Sequence, residues 1–157
     1  MKNSISTAQK ALVLSKSRNK ILVIKYLYSK YTPNKINGKL GIPGGQINFS
    51  EKPDDSVIRE VREETGITIT PSLPFYIWTW ICNDEDNNKQ IIAVARLSYY
   101  KSGKLLSGRI IEDESTIEKV MWVNIKDLKL KDFMEDEIPI IKNFLKYIRK
   151  NPFSPKY

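Results

Sequence analysis

The stretch GQINFSEKPDDSVIREVREETGI, which spans residues 45–67, decides how this chain folds and what chemistry it can carry. Pro53 suits the first position of a helix, and Gly66 suits the position just past the end of one. Asp54 and Asp55 would lie in the first turn, where the helix dipole favours negative charge. The sequence therefore predicts a helix that begins at Pro53 and stops at Gly66.

Three glutamates of this helix, Glu60, Glu63 and Glu64, lie on one side of it. Positions i, i+3 and i+4 fall within an arc of about 100° on a helix. Like charges at this spacing destabilise a helix by about 0.2–0.5 kcal/mol per pair if nothing neutralises them. Carboxylate oxygens are the ligands that Mg²⁺ and Mn²⁺ prefer. The pattern therefore indicates either a divalent-cation site or a solvated helix face on which Arg59 and Arg62 pair with the glutamates.

The residues around these glutamates match a longer pattern. From Gly45, five residues precede Glu51, and seven more precede the run Arg59–Ile67, which reads REVREETGI. This spacing resembles the Nudix box, in which Gly, Glu and Arg-Glu-aliphatic-any-Glu-Glu-any-Gly-aliphatic stand at those distances. Every defined position is met, and the preceding GKLGIPGG, residues 38–45, is similar to the family's usual lead-in.

The resemblance implies both a fold and an activity. The Nudix fold is of the α/β (α+β) class, an α/β/α sandwich around a mixed β-sheet. Its members hydrolyse a nucleoside diphosphate linked to another group X, with Mg²⁺ or Mn²⁺ as the metal. The alternative of a different class is a catalytically silent Nudix-fold module that binds a nucleotide or RNA. The intact glutamates of the box favour the enzyme.

By the same resemblance, individual residues take individual roles. The candidate metal ligands are the box glutamates and one downstream acid: Glu60, Glu63, Glu64, Glu51 and Glu112. The candidate catalytic residues are Glu60 as a base, Arg59 as the group that orients Glu51 or Glu60, and also Glu63 and Glu114. The candidate substrate contacts are Gly44, Gly45 and Lys39.

A second acidic island follows the box. In many Nudix enzymes a glutamate from a loop after the central strands completes the metal site or serves as the base. The candidates in this chain are Glu112, Asp113, Glu114 and Glu118, with Glu114 preferred and Glu112 next. Spacing alone leaves the choice among them open.

The composition of the 157 residues narrows the chemistry further. Histidine is absent, which excludes Ser-His-Asp triads and zinc sites built on imidazole. One cysteine, Cys82, cannot form an internal disulfide. The formal net charge is +8, and no acidic residue precedes Glu51. A basic body around acidic islands favours a cation-binding pocket in a field that attracts polyphosphates.

The substrate class follows less directly. A proline or tyrosine that marks some ADP-ribose or diadenosine polyphosphate hydrolases is absent from its usual window past the box, which here reads CND at residues 82–84. The leading interpretation is a nucleoside or deoxynucleoside triphosphate pyrophosphatase. The alternatives are hydrolysis of 5′-polyphosphate RNA, for which the basic surface is suited, or of a dinucleoside polyphosphate.

The rest of the chain alternates apolar runs with polar turns. Strands are predicted at residues 8–14, 21–27, 75–82, 90–99 and 120–125, a loop at residues 28–45 and a last helix at about residues 135–150. We expect one domain over residues 1–157, with a tail from about residue 151 to residue 157. No signal or membrane segment is expected, so the expected location is cytoplasmic. Homodimers are common in the family, and the sequence leaves the oligomeric state open.

Overall fold

The computed structural model describes residues 2–29, 38–84, 87–111 and 115–151. The strands are β1 (Lys2–Leu14), β2 (Lys20–Ser29), β3 (Leu40–Gly41), β4 (Gly44–Gln46), β5 (Ile67–Asp84), β6 (Asn87–Gly103), β7 (Ile110–Ile111) and β8 (Ser115–Asn124). The helices are α1 (Pro53–Thr65) and α2 (Ile138–Lys150), and 3-10 turns cover Ile125–Asp127, Leu130–Asp132 and Glu135–Glu137. Within these described residues, no helix is long and apolar enough to span a membrane.

The strands form one mixed sheet in which β1 is central. Their order is β5-β6-β1-β2-β8-β7, with β3 attached to β2 and β4 attached to β1. β1 and β6 run parallel, from Lys2 beside Asn87 to Leu14 beside Tyr99. The other strand pairs of the described chain are antiparallel. β4 pairs with the middle of β1, so Gly44, Gly45 and Gln46 are held against the centre of the sheet.

The two helices cover opposite faces of the sheet. Successive side chains of a strand point to opposite faces, so β1 contributes to two cores. Val13 belongs to the core under α1, together with Val61 of that helix. Leu12 belongs to the core under α2, together with Phe144 of that helix. The expected α/β/α sandwich around a mixed sheet is therefore confirmed.

Helix α1 begins and ends at the residues that the sequence predicts. Pro53 lies in the first turn together with Asp54 and Asp55. Gly66 follows the last turn with a φ of 78°, a left-handed conformation that glycine adopts without a steric penalty. Its N–H donates to the carbonyl oxygen of Arg62 and so closes the helix. These two ends fix the position of the glutamates between them.

Other elements differ in extent from the sequence prediction. β5 and β6 continue past the predicted apolar runs at both ends, because their hairpin pairing extends beyond them. The last helix begins at Ile138 and is preceded by the 3-10 turn Glu135–Glu137. The predicted loop contains the short strands β3 and β4, which depend on pairing with β2 and β1 rather than on local preference. Residues 30–37 of that loop and 152–157 of the predicted tail lie outside the described residues.

Replacing Gly66 by alanine should destabilise the protein for two separable reasons. The left-handed backbone costs an alanine about 1–2 kcal/mol, and the added Cβ would collide with the carbonyl oxygen of Lys104. Gly108→Ala is the matched control, because its φ is 83° and nothing lies within 4 Å of the added Cβ. Urea unfolding should show a loss of about 2–4 kcal/mol for Gly66→Ala and about 1 kcal/mol for the control. Equal losses would show that the carbonyl contact has no cost.

Candidate functional site

The glutamates of helix α1 form a line from the core to solvent. Glu64 is buried, with 4% of its surface exposed. The Glu60 side chain is 18% exposed and that of Glu63 is 55% exposed. This gradient follows from helical geometry, because Val57 and Val61 on the adjoining face pack into the core.

The guanidinium of Arg59 binds three carboxylates at once. It forks onto Glu51, with Nε 2.7 Å from Oε1 and Nη2 2.9 Å from Oε2. Its Nη1 donates to Glu60 Oε1 at 2.6 Å and to Glu63 Oε2 at 3.0 Å. Nη2 also donates to the carbonyl oxygen of Gln46 at 3.3 Å. One cation therefore connects strand β4, the loop before α1 and the helix itself.

Two carboxylates on the same guanidinium have opposite pKa shifts. Hydrogen bonds from Arg59 and from the backbone of Asn48 lower the pKa of Glu51 to about 2. Burial raises the pKa of Glu60 above its ordinary value, although Arg59 acts in the other direction. The bonds to Glu51 and Glu60 raise the pKa of Arg59, so it stays charged. Glu51 is thus a fixed anion, whereas Glu60 is the more basic carboxylate.

The turn at Gly44 and Gly45 fits between strand β1 and helix α1. Gly44 has a φ of 134°, and a Cβ there would collide with the backbone of Gln9. Its N–H donates to Glu64 Oε2 at 2.7 Å. A Cβ at Gly45 would collide with the Glu60 carboxylate. The structure thus gives a steric reason for glycine at both positions.

A buried ion pair next to this turn was missed by the sequence analysis. Lys10 Nζ lies 3.3 Å from Glu137 Oε1 and donates to the carbonyl oxygen of Ile42 at 3.0 Å. Burial by itself would lower the pKa of Lys10, but Tyr26, Glu137 and Glu64 raise it, so the ammonium stays charged. The available signal was Lys10 directly before the apolar run Ala11–Leu14 of β1. The burial of Glu137 could not be predicted, because this residue directly follows two exposed acids, Glu135 and Asp136.

The remaining predicted residues lie away from this cluster or outside the described chain. Lys39 Nζ donates to the carbonyl oxygen of Lys131 at 2.7 Å, so its ammonium binds the turn before Phe133. Glu118 of β8 pairs with Lys25 of β2, with Nζ 2.9 Å from Oε2. The other downstream acids, Glu112, Asp113 and Glu114, lie outside the described residues.

The oxygen donors of the cluster are of the kind that a hard divalent cation takes. The absence of a side chain at Gly45 leaves the backbone directly against the Glu60 carboxylate. Among residues 2–29, 38–84, 87–111 and 115–151, no three acidic side chains are placed to enclose an ion. The guanidinium of Arg59 lies among Glu51, Glu60 and Glu63 and offsets part of their negative charge. The carboxylate oxygens are therefore suitable ligands for Mg²⁺ or Mn²⁺. In this structure the guanidinium of Arg59 holds them in place.

The sequence of this chain matches one family profile and several known proteins. The family profile described as NUDIX domain matches residues 7–144. The chain is 28% identical over 129 residues to an ADP-ribose pyrophosphatase of Methanocaldococcus jannaschii, which covers 82% of the chain and 68% of that protein. It is 34% identical over 56 residues to an 8-oxo-dGTP diphosphatase of Escherichia coli, covering 36% of the chain and 40% of that protein.

The fold has close counterparts among solved structures. A MutT protein from Methanosarcina mazei Go1 superimposes with a TM-score of 0.64 at 20% identity, covering 98% of this chain and 99% of that chain. A MutT NUDIX hydrolase from Burkholderia pseudomallei superimposes with a TM-score of 0.66 at 22% identity, covering 88% and 97%. At these identities the likeness concerns the fold.

Replacing Arg59 by methionine should change the acid stability of the metal-free protein. A carboxylate whose folded pKa is lowered contributes stability above its unfolded pKa, and this contribution is lost as the pH falls through the folded value. Glu51, with a folded pKa of about 2, contributes stability that fades between about pH 4.5 and pH 2. Arg59→Met should return that pKa towards 4.5, so the unfolding free energy should depend less on pH in this window.

The matched control is Arg62→Met, because Arg62 lies on the same helix and is exposed. Urea unfolding at several pH values with a chelator present, and a carbon-13 titration of the Glu51 carboxyl group, would measure the effect. An unchanged Glu51 pKa in Arg59→Met would contradict the assignment of the guanidinium as its cause.

Proposed function

Because the chain belongs to the Nudix family of pyrophosphohydrolases, which act on nucleotide derivatives, we propose that it cleaves nucleoside or deoxynucleoside triphosphates with Mg²⁺ bound. Water attacks a phosphorus of the triphosphate, the phosphoanhydride bond breaks, and a nucleoside monophosphate and pyrophosphate leave. The observation that carries the proposal is the Arg59-centred carboxylate cluster held against the Gly44–Gly45 turn. This arrangement brings anionic oxygens and approachable backbone to one place.

The metal ligands that we propose are carboxylates of α1 and its neighbourhood. Glu60 and Glu64 lie next to the turn, and Glu63 would join them as a ligand once its carboxylate is released from Arg59. Glu51 and Glu112 are the further candidates. Nudix hydrolases generally use divalent metal ions, and a bound Mg²⁺ would neutralise charge on the phosphate oxygens.

The protein side chains have three further tasks in this proposal. Arg59 keeps the carboxylates of Glu51 and Glu60 oriented through its fork. Glu60 is one candidate for the base that takes the proton of the attacking water, because burial raises its pKa. Glu114 is the other candidate. Lys39 is proposed to bind a substrate phosphate, which requires its ammonium to leave the Lys131 carbonyl.

ADP-ribose is the second candidate substrate, and one comparison favours it. The relative named ADP-ribose pyrophosphatase matches 82% of the chain, whereas the relative named 8-oxo-dGTP diphosphatase matches 36%. The latter match has the higher identity. Both substrates present a pyrophosphate bridge to the same cluster, so the choice depends on the group beyond the bridge.

A substrate panel with Mg²⁺ separates these candidates by their products. Triphosphates should yield a nucleoside monophosphate and pyrophosphate, whereas ADP-ribose would yield AMP and ribose 5-phosphate. The panel also includes a dinucleoside polyphosphate and a 5′-triphosphorylated RNA. We expect the highest kcat/KM with a nucleoside or deoxynucleoside triphosphate, and a chelator should abolish turnover. A higher kcat/KM with ADP-ribose than with the triphosphates would contradict this expectation and identify ADP-ribose as the substrate. No turnover of any compound would favour a silent binding module.

Removing one carboxylate should reveal whether the cluster performs the reaction. Glu60→Gln and Glu63→Gln should each lower kcat/KM by about 10²–10⁴-fold, because each removes a proposed metal ligand and Glu60 is also a candidate base. Asp55→Asn is the matched control, since it removes an exposed acid from the same helix. Full activity in both glutamine variants would place the reaction elsewhere on the chain.

A further inference from the structure

We propose that the buried Lys10–Glu137 pair is a positioning device for the site: it holds both polar groups of the Ile42 backbone and thereby places Gly44 and Gly45 against the α1 carboxylates. This inference rests on the proposed function for its effect on turnover. Lys10 and Glu137 both bond the Ile42 backbone directly, so we assign them to the position of the turn.

Lys10 and Glu137 form hydrogen bonds with the two polar backbone groups of Ile42. Glu137 Oε2 accepts the N–H of Ile42 at 2.8 Å, and Lys10 Nζ donates to its carbonyl oxygen at 3.0 Å. The two side chains come from different elements, since Lys10 lies in β1 and Glu137 lies just before α2. The pair is buried, with Lys10 8% and Glu137 1% exposed. Two charged partners on one peptide segment restrict both its shift and its rotation.

The restraint passes from Ile42 to the carboxylates within three residues. The carbonyl oxygen of Pro43 accepts the N–H of Ala11 at 2.8 Å. The N–H of Gly44 then donates to Glu64 at 2.7 Å, and Gly45 packs on the Glu60 carboxylate. The turn is therefore held by the bonds at Ile42 together with these contacts and the pairing of β4 with β1.

The surroundings of Gly41 show how closely this segment is packed. A Cβ there would lie 2.7 Å from Tyr26, 2.9 Å from Met134 and 3.3 Å from Glu137 Oε2. A methyl group at Gly41 would therefore come too close to Tyr26 and Met134, so this segment lies in close contact with its surroundings.

A buried ion pair contributes little net stability, because the cost of removing both charges from water offsets their attraction. Its main effect here is geometric. A misplacement of catalytic groups by about 1 Å costs about 100-fold in rate, which is the scale of effect that a loose turn would have.

The test uses two double variants of the full chain. Lys10→Met with Glu137→Leu removes both bonds to Ile42 without leaving one charge alone. Lys10→Met with Glu137→Gln removes the charges but keeps an acceptor for the Ile42 N–H, so it serves as the conservative rescue and as the fallback if the first variant does not fold. Phe144→Leu is the control for loosened packing and general destabilisation, because Phe144 is a buried residue of α2 that shares an apolar core with Ile42 but offers no hydrogen bond to its backbone.

Amide hydrogen exchange is measured without substrate and without metal. We expect exchange at Ile42 and Gly44 to rise at least about 10-fold in the Leu double variant, less in the Gln double variant, and not in Phe144→Leu. Unchanged exchange at both amides in both double variants would overturn the proposal. This readout is independent of the substrate, so its failure is distinguishable from failure of the proposed function.

Turnover is measured on whichever compound of the panel is hydrolysed. We expect kcat to fall about 10- to 100-fold in the Leu double variant and less in the Gln variant, with KM within about threefold of wild type. An equal fall of kcat in Phe144→Leu at matched thermal stability would overturn the proposal, because loss of stability alone would then account for it.

Discussion

The fork between Arg59 and Glu51 is the contact on which the candidate site depends. Glu51 belongs to the loop before α1, and Arg59 belongs to the second turn of the helix, so their two bonds fix the loop to the helix. The same guanidinium also bonds Glu60 and Glu63 and so reduces the repulsion between their charges at this spacing. A lysine could not replace it, because an ammonium lacks the planar arrangement of donors that serves several carboxylates together.

The same guanidinium bonds two carboxylates whose pKa values shift in opposite directions, because a different cause dominates at each. The pKa of Glu51 falls because bonded donors favour its charged form. The pKa of Glu60 rises because the loss of water outweighs the same neighbour. A fixed anion and a more basic carboxylate thus stand beside each other.

The parts of this protein that could be predicted from the sequence are those that local rules determine. Helix α1 depends on Pro53 and Gly66, and the side on which its glutamates lie follows from the helical repeat. The Lys10–Glu137 pair could not be predicted, because it joins residues far apart in sequence through the packing of α2 on β1. Strands β3 and β4 could not be predicted for a similar reason. Glycine and proline are typical of a loop, and these residues find hydrogen-bond partners only through pairing with β2 and β1.

The parallel pairing of β1 with β6 has a consequence for the order in which the protein assembles. Lys2 at the start of β1 lies beside Asn87, and Lys20 at the start of β2 lies beside Asn124. β1 and β2 can therefore complete these pairings only after β6 and β8 have been synthesised. The strands β5 and β6, in contrast, pair with each other and are close in sequence. Non-local pairing of this kind slows folding, because the intervening chain must close before the contacts form. The central strand of the finished sheet thus has a partner on both sides only after β6 has been synthesised.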